Sequence, residues 1–398
     1  MAVEITLKHC PKVYILETHR SKSPADTLQF IEGMKNILGM QIFTDATDMD
    51  RIGLPVFTCK RIRPDNSPTW HTGKGFTKIQ AQISLTMEAI ERYCSEYRSG
   101  HEKLLIKGSY NEVKSDNAVV DPASLILPQF NNYTSDDAGY WVWGYDLINK
   151  ESILVPACAV FHPFHLDENP MMNTHTDGFA AGNTIEEAVF HAMMEVIERD
   201  AWSIAKFNNH PGEILTIDDL PENGFLLDIL ERYNKADIEI VARDITSDIG
   251  VPVIAAFSRD LVHETMMPID GFGAHLDPKV AMSRALTEVA TTRALFIQKH
   301  GIEGLCEALP RHMAYSEGED PRFCLDEEKS LQELDIGFSQ DILADIEQVI
   351  TMVKTAGLDK VIVVDLTRPE VGMPTVRVII PGAEAYCFDR SRRGERLY

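Results

Sequence analysis

Apolar residues recur along the chain in two rhythms. Runs rich in β-branched and aromatic residues, bounded by Pro, Gly or Asp, predict strands over residues 55–62, 140–147, 153–161, 238–242, 251–257, 360–366 and 375–380. Elsewhere the apolar positions fall three and four apart, the spacing of one helix face. Ile79, Ile83, Met87 and Ile90 make one such stripe; Val189, Met193, Val196 and Ile197 make another. Strands and helices alternate irregularly, with no regular βαβ repeat. This predicts an α+β fold of layered mixed sheets and helices rather than a doubly wound parallel sheet. Residues 109–137 and 309–334 read as loop-rich. Scattered Tyr, Phe and Leu argue against flexible linkers there, so residues 1–398 are expected to form a single domain.

Two stretches repeat each other. Gly73-Lys74-Gly75-Phe76-Thr77 opens a helix carrying Met87-Glu88-Ala89-Ile90-Glu91-Arg92. Ala181-Gly182-Asn183-Thr184 opens another carrying Met194-Glu195-Val196-Ile197-Glu198-Arg199. Thr77 with Gln80, and Thr184 with Glu187, fit a capping box. A third helix begins at Asp277-Pro278, a good N-cap followed by proline at the first helical position, behind Gly271-Phe272-Gly273-Ala274-His275. Helical spacing then aligns polar stripes: Ser84, Glu88 and Glu91; Glu187, His191, Glu195 and Glu198; Arg284 and Glu288. One E-x-x-E-R string is ordinary on an exposed helix. Two copies behind Gly/Thr helix starts, joined by a third carboxylate–arginine helix, point to a shared purpose. Carboxylates packed this densely repel one another unless a cation sits among them.

Hard oxygen ligands without clustered His or Cys suit Mg²⁺, which commonly shares its shell with substrate phosphates. Arginines would grip the phosphates, and helix N-termini would add amide donors. The usual nucleotide signatures are missing. Lys74 sits in a Gly-Lys-Gly string that only superficially evokes a P-loop, and no G-x-G-x-x-G follows a predicted strand. The site implied is a non-P-loop ATP site between helices. His191 shares the second stripe, where a histidine satisfied by packing neighbours is as good a reading as a ligand.

Composition narrows the partners. With 38 Lys and Arg against 61 Asp and Glu, the formal charge is −23, which repels nucleic acid and anionic membrane. Hydrophobic residues at 44% allow a full core. No apolar run is long enough to span a bilayer, and the first residues lack the apolar stretch of a signal peptide, so a cytoplasmic location is expected. Seven cysteines at wide spacing, with no C-x-x-C, argue against a zinc cluster or a disulfide framework.

Taken in order, Ser84-x-x-x-Glu88-x-x-Glu91-Arg92, Ala181-Gly182-Asn183-Thr184-x-x-Glu187, Glu195-x-x-Glu198-Arg199 and Arg284-x-x-x-Glu288 resemble the ATP-binding motifs of the YcaO family. Pro381-Gly382 resembles a late landmark of that family. The resemblance implies a YcaO-type layered fold and ATP and Mg²⁺ as cofactors. It assigns Glu88, Glu91, Glu195, Glu198 and Glu288 to the metal and its shell. It assigns Ser84, Arg92, Asn183, Glu187, Arg199 and Arg284 to nucleotide or phosphate, with Arg20 and Thr27 as a further phosphate-contacting pair. No catalytic residue is singled out.

Family members activate a peptide backbone amide by O-phosphorylation. Azoline-forming members commonly end in a proline-rich tail, whereas the last proline here is Pro381. The segments around Cys10, Arg20 and Asp50 resemble stand-alone YcaO proteins of methanogenic archaea. This implies thioamide (thioglycine) formation in methyl-coenzyme M reductase from external sulfide, a TfuA partner and a homodimer. Other readings stay open. They are an azoline-forming cyclodehydratase, a non-catalytic ATP-binding accessory protein, and a metallohydrolase using His162, His165, Asp167 and Glu168.

Overall fold

The strands form where β-branched residues are dense and stop where proline or glycine interrupts the ladder. A computed structural model describes residues 3–98, 100–218, 220–263, 265–307, 320–324 and 328–398. Part of the predicted loop at 309–334 therefore lies outside the described residues. Every predicted run contains a strand, but the 153–161 run divides. Glu151–Pro156 pairs with Gly139–Asp146, and Ala157–Val160 then closes a single helical turn. Pro156 has no N–H with which to carry the ladder further. The 109–137 stretch is mostly irregular, with short turns at Tyr110–Val113 and Pro122–Leu125.

Four sheets are built from the described residues. A three-stranded antiparallel sheet joins Met40–Asp45, Val56–Ile62 and Pro68–Lys74. A five-stranded sheet runs Ile269–Ala274, Val253–Asp260, Ile238–Asp244, Glu213–Thr216, Glu328–Ser330, with only the last pair parallel. A six-stranded antiparallel sheet contains Gly139–Asp146, Ile362–Asp365, Thr375–Ile379 and Phe179–Ala181. The fourth is a small hairpin, Tyr14–Ile15 with His19–Arg20. The layered α+β architecture is as expected.

Three long helices lie on these sheets. The first site helix, Lys78–Ser95, packs on the strand just before it, and the third, Pro278–Glu307, does the same on Ile269–Ala274. The second, Ile185–Phe207, packs against Thr375–Ile379 and Phe179–Ala181. Its Val189, Met193 and Ile197 form one core with Val253, Ala255, Val376 and Val378, each Val, Met or Ile side chain worth about 1.5–3 kcal/mol of burial. Beneath the third helix, Ala281, Ala285 and Val289 pack on Ile254 and Ala256. Buried Arg293 ties that helix to Asp50 at 2.7 Å and Asp260 at 2.9 Å. Gly301, at φ 67°, breaks its helical path. No described helix is long and apolar enough to cross a membrane.

Gly73, before the first helix, and Gly271 and Gly273, before the third, are strand residues rather than turns. They are there because the helix backbone lies directly on them. A Cβ on Gly73 would come 2.1 Å from the Ala81 carbonyl oxygen and 2.2 Å from the Leu85 amide nitrogen. A Cβ on Gly273 would come 2.1 Å from the Ala281 carbonyl oxygen. The facing alanine stands at the same offset along the chain in both copies. This contact also rotates the first helix away from its expected apolar stripe. Ala81, Leu85, Ala89 and Ile90 are buried, while Ile79 is exposed.

Gly73→Ala is accordingly expected to force strand and helix apart, costing more than about 3 kcal/mol or abolishing folding. Gly33→Ala, where an added Cβ meets nothing within 4 Å, should be near neutral. Urea unfolding of the two variants checks this, and equal stability of both would contradict the close-packing account.

Candidate functional site

A cavity of about 350 Å³ opens where the three helices and the N-terminal hairpin meet. Its volume lies within the usual range of small-molecule sites. Each of the thirteen residues singled out in the sequence lines it. They are Arg20 and Thr27 from the N-terminal segment, then Ser84, Glu88, Glu91 and Arg92 from the first helix. Asn183, Glu187, Glu195, Glu198 and Arg199 come from the second, and Arg284 and Glu288 from the third.

Local geometry explains the convergence. Thr77 caps the first helix with a full capping box, so the polar stripe starts in a fixed phase. At the second helix the expected box is half made. Thr184 Oγ1 accepts from the Glu187 amide at 3.2 Å, but the Glu187 carboxylate turns outward. It accepts from the Ser21 amide at 2.9 Å, the Ser21 hydroxyl at 2.6 Å and Asn183 Nδ2 at 3.1 Å, with Arg20 Nε at 3.8 Å. Asn183 Oδ1 in turn accepts from Thr27 Oγ1 at 3.0 Å. The N-terminal pair is thereby tied to the second helix. The third helix contributes Ser283, Arg284, Thr287 and Glu288, not its N-terminus. Its cap, Asp277, is buried beside His19 at 3.4 Å, so the expected amide donors from that end do not reach the cavity.

Seven carboxylates and six cationic side chains face the space. Two of the cations, Lys22 and Lys74, were not picked out from the sequence as site residues. Lys74 makes a 2.6 Å ion pair with Glu288, and Lys22 and the N-terminal strand's flank add to the wall along with Glu17. Lys74 did carry a signal, the Gly-Lys-Gly string next to the first helix, but it read as a failed P-loop. Phe76, Ile83, Met87 and Phe179 supply apolar surface.

The carboxylates are unequally compensated. Burial pushes Glu288 up, but Lys74, then Arg199 and Arg284, hold it below its ordinary range. Burial is likewise outweighed at Glu88 by the His71 hydrogen bond and Arg92. No such balance exists at Glu91, pushed up to about 8 by burial and by Glu195 and Glu88 against Arg92. Glu195 is pushed up to about 7 by burial, which Arg199 and Arg92 oppose and Asp177 and Glu198 reinforce. Arg199 is raised despite burial, by Glu198, Glu288 and Glu195.

Several buried polar atoms on the wall have no hydrogen-bond partner: Glu198 Oε2, Arg92 Nη1, Arg199 Nε, Arg284 Nε and His191 Nε2. His191 is therefore not satisfied by its packing neighbours at Nε2, and burial with Arg20 and Arg284 nearby keeps it neutral. Unmade hydrogen bonds at buried groups cost about 1–3 kcal/mol each. Orphaned donors and acceptors together fit a ligand carrying phosphates and a divalent cation. Among the described residues no three His, Cys, Asp or Glu side chains approach closely enough to hold an ion alone. An ion here would share ligand oxygens and water with the glutamates, as Mg²⁺ commonly does. The alternative loop ligands do not converge. His162 Nδ1 is bonded to Thr174 at 2.8 Å, and Asp167 accepts from the Tyr140 amide at 3.2 Å.

Cys10, Cys59, Cys94, Cys158 and Cys387 are buried, and Cys306 and Cys324 are partly exposed.

Comparison with known proteins bears on this geometry. Residues 72–384 match a family model described as YcaO cyclodehydratase, ATP- and Mg²⁺-binding. A similar protein from Methanothermobacter thermautotrophicus, called uncharacterized, is 37% identical over 394 residues, covering 94% of this chain and 97% of its own length. One from Rhizobium leguminosarum bv. trifolii, described as an uncharacterized protein in the tfuA 3′ region, is 26% identical, with coverages of 92% and 88%. The solved structure of YcaO from Methanopyrus kandleri bound with AMPPCP and Mg²⁺ superposes with a TM-score of 0.77 at 31% identity. The match covers 97% of this chain and 98% of that one. A heterocyclase in complex with substrate and cofactor shares the fold at 23% identity and a TM-score of 0.83, over 100% of this chain and 56% of that chain.

The electrostatics make a prediction. At pH 7, Glu91 holds a proton and Glu195 is about half protonated, so binding of Mg²⁺ with AMPPCP should expel roughly one proton. Both folded values lie above the ordinary carboxylate range, so release should fade as pH rises past about 9 and apparent affinity should climb between pH 7 and 9. Calorimetry in buffers of different ionisation heat measures this. Absence of proton release at pH 7, with a flat affinity profile, would contradict the unequal compensation.

Proposed function

The chain belongs to the YcaO family, and from that premise we propose that it uses ATP to activate a peptide backbone amide. The proposed product is a thioamide formed from external sulfide, with a glycine of methyl-coenzyme M reductase as the substrate position. The observation that carries the ATP-dependent reading is the convergence of three helices' carboxylates and arginines, with orphaned polar atoms, on one cavity. The similarity over nearly the full length to the Methanothermobacter thermautotrophicus and Methanopyrus kandleri proteins supports the sulfide branch over azoline formation. The similarity to a protein described by its tfuA neighbourhood supports a TfuA partner. A homodimer is part of the same reading.

In the proposed reaction the chain's task is positioning and charge neutralisation. Glu88, Glu91, Glu195, Glu198 and Glu288 would hold Mg²⁺, which when bound neutralises phosphate charge. Arg92, Arg199 and Arg284 offer unpartnered guanidinium N–H groups to phosphate oxygens. Arg20 and Thr27, tied through Glu187 and Asn183, close the N-terminal side, and Ser84 adds a hydroxyl. Phe76, Ile83 and Met87 suit the base. Lys74, paired to Glu288, occupies cationic space beside that carboxylate and would exchange its partner for phosphate on loading. Addition of sulfur to the amide carbonyl creates an oxyanion. That oxygen takes the γ-phosphoryl group and departs with it.

The test is mass spectrometry of a glycine-containing reductase peptide incubated with the protein, Mg²⁺–ATP and sulfide, with and without TfuA. A mass gain matching exchange of oxygen for sulfur, dependent on ATP, is expected. Loss of water would instead place the chain with the azoline-forming enzymes. Glu195→Gln should weaken Mg²⁺–ATP binding at least about tenfold while leaving the fold intact. Arg199→Lys should also impair turnover, because lysine cannot reproduce a forked contact. Wild-type ATP binding by the first variant would remove Glu195 from the metal shell, and full turnover by the second would remove the phosphate role.

A further inference from the structure

Behind Arg199 lies a second, smaller cavity of about 60 Å³, room for a few waters. Arg199 lines both cavities. Phe179, on the wall of the large one, stacks over the Arg377 guanidinium of the small one at 4.5 Å. The small cavity is cationic. Arg377 is 2% exposed and projects from the Thr375–Ile379 strand. No described carboxylate forms an ion pair with it, and its Nε has no hydrogen-bond partner. Its remaining N–H groups make long contacts of 3.3–3.5 Å to His175. Arg392, also buried, donates to the Leu125 and Ile126 carbonyls at 2.7 and 2.9 Å and meets no carboxylate there.

Neither acid on this wall forms an ion pair with Arg377 or Arg392. Asp177 is paired to His175 at 3.0 Å. Glu384 accepts from the Gly394 and Arg396 amides at 3.0 and 3.1 Å. Burial presses both Arg377 and Arg392 below the ordinary arginine range. Asp177 is the main opposing charge for both, yet it forms an ion pair with neither, so two buried guanidiniums share one carboxylate beside a cavity with room for an anion.

We propose that this cavity binds a small monovalent anion and that, given the amide-activating function proposed above, the anion is hydrosulfide, the sulfur nucleophile. The large cavity is a poor place to gather that nucleophile, since seven carboxylates and a triphosphate would repel it. Arg377 holds it one side chain away, beyond Arg199. The sulfur lone pair forms the C–S bond as the carbonyl π electrons move to oxygen. The oxygen takes the γ-phosphoryl group and ADP leaves. The C–O bond then breaks toward phosphate, and the S–H proton ends on that phosphate, leaving C=S. Amide, hydrosulfide and ATP thus become thioamide, ADP and hydrogen phosphate, with no oxidant or reductant. Arg377 is a positioning residue for the nucleophile.

The probe is bromide, a small anion visible by its anomalous scattering. In crystals of the wild-type protein soaked in bromide, a peak is expected beside Arg377 and should vanish in Arg377→Gln. In solution, bromide should compete with sulfide and not with ATP. Arg377→Lys and Arg377→Gln should raise the KM for sulfide at least tenfold while the KM for ATP holds. The wild-type competition experiment stands even where a variant fails to fold. No peak, a peak that persists in Arg377→Gln, or competition with ATP would overturn the site. An unchanged sulfide KM with weakened inhibition by product phosphate would overturn the hydrosulfide assignment and make the cavity an exit for phosphate. A wild-type protein that forms no thioamide at all overturns the proposed function and hydrosulfide with it. The anion site is then decided by the bromide peak alone.

Discussion

The backbones of the first and third helices lie against the strands that precede them with no side chain between. At Gly73 and Gly273 the helix carbonyl sits where a Cβ would be. That contact leaves little freedom for either helix to slide or roll. The polar stripes three and four residues apart are consequently aimed at one point. Capping by Thr77 and Thr184 fixes the phase of the first and second helices from their first turn. A side chain's width of slack at these contacts would scatter Glu88, Glu91 and Glu288 over the surface.

Convergence brings an electrostatic cost that the fold meets unevenly. Lys74 and His71 stand against Glu288 and Glu88, whereas Glu91 and Glu195 face each other with too little positive charge between them. Burial sharpens both effects, because the cavity wall screens less than water. The result is a site poised to accept cation and phosphate together. The same logic operates with the opposite sign behind Arg199, where buried arginines outnumber free acids. One arginine therefore divides a region short of cations from a region short of anions.

Much of this was legible in the sequence because helices write their faces as spacing. The two Met-Glu-x-Ile-Glu-Arg copies and the Arg284–Glu288 pair needed only the helical period to predict a common site. Strands such as Pro68–Lys74 and Ile269–Ala274 were harder to read. Their glycines look like turn residues, and only the helix lying on them explains why no side chain is present. Glu187 was expected to close its own capping box, but Ser21 from a distant segment and neighbouring Asn183 compete for it. Arg377 and Lys74 carry no periodic signal, since their meaning depends on partners hundreds of residues away or on partners that are missing.

The central claim is that ATP is consumed to remove an amide oxygen, and oxygen tracing tests it most directly. A substrate peptide labelled with heavy oxygen at the reacting carbonyl would be incubated with the protein, Mg²⁺–ATP and sulfide, and the inorganic phosphate weighed. The account predicts one labelled oxygen in each phosphate released, matched by one modified peptide. Phosphate carrying only solvent oxygen would show ATP hydrolysis uncoupled from the amide and would contradict it.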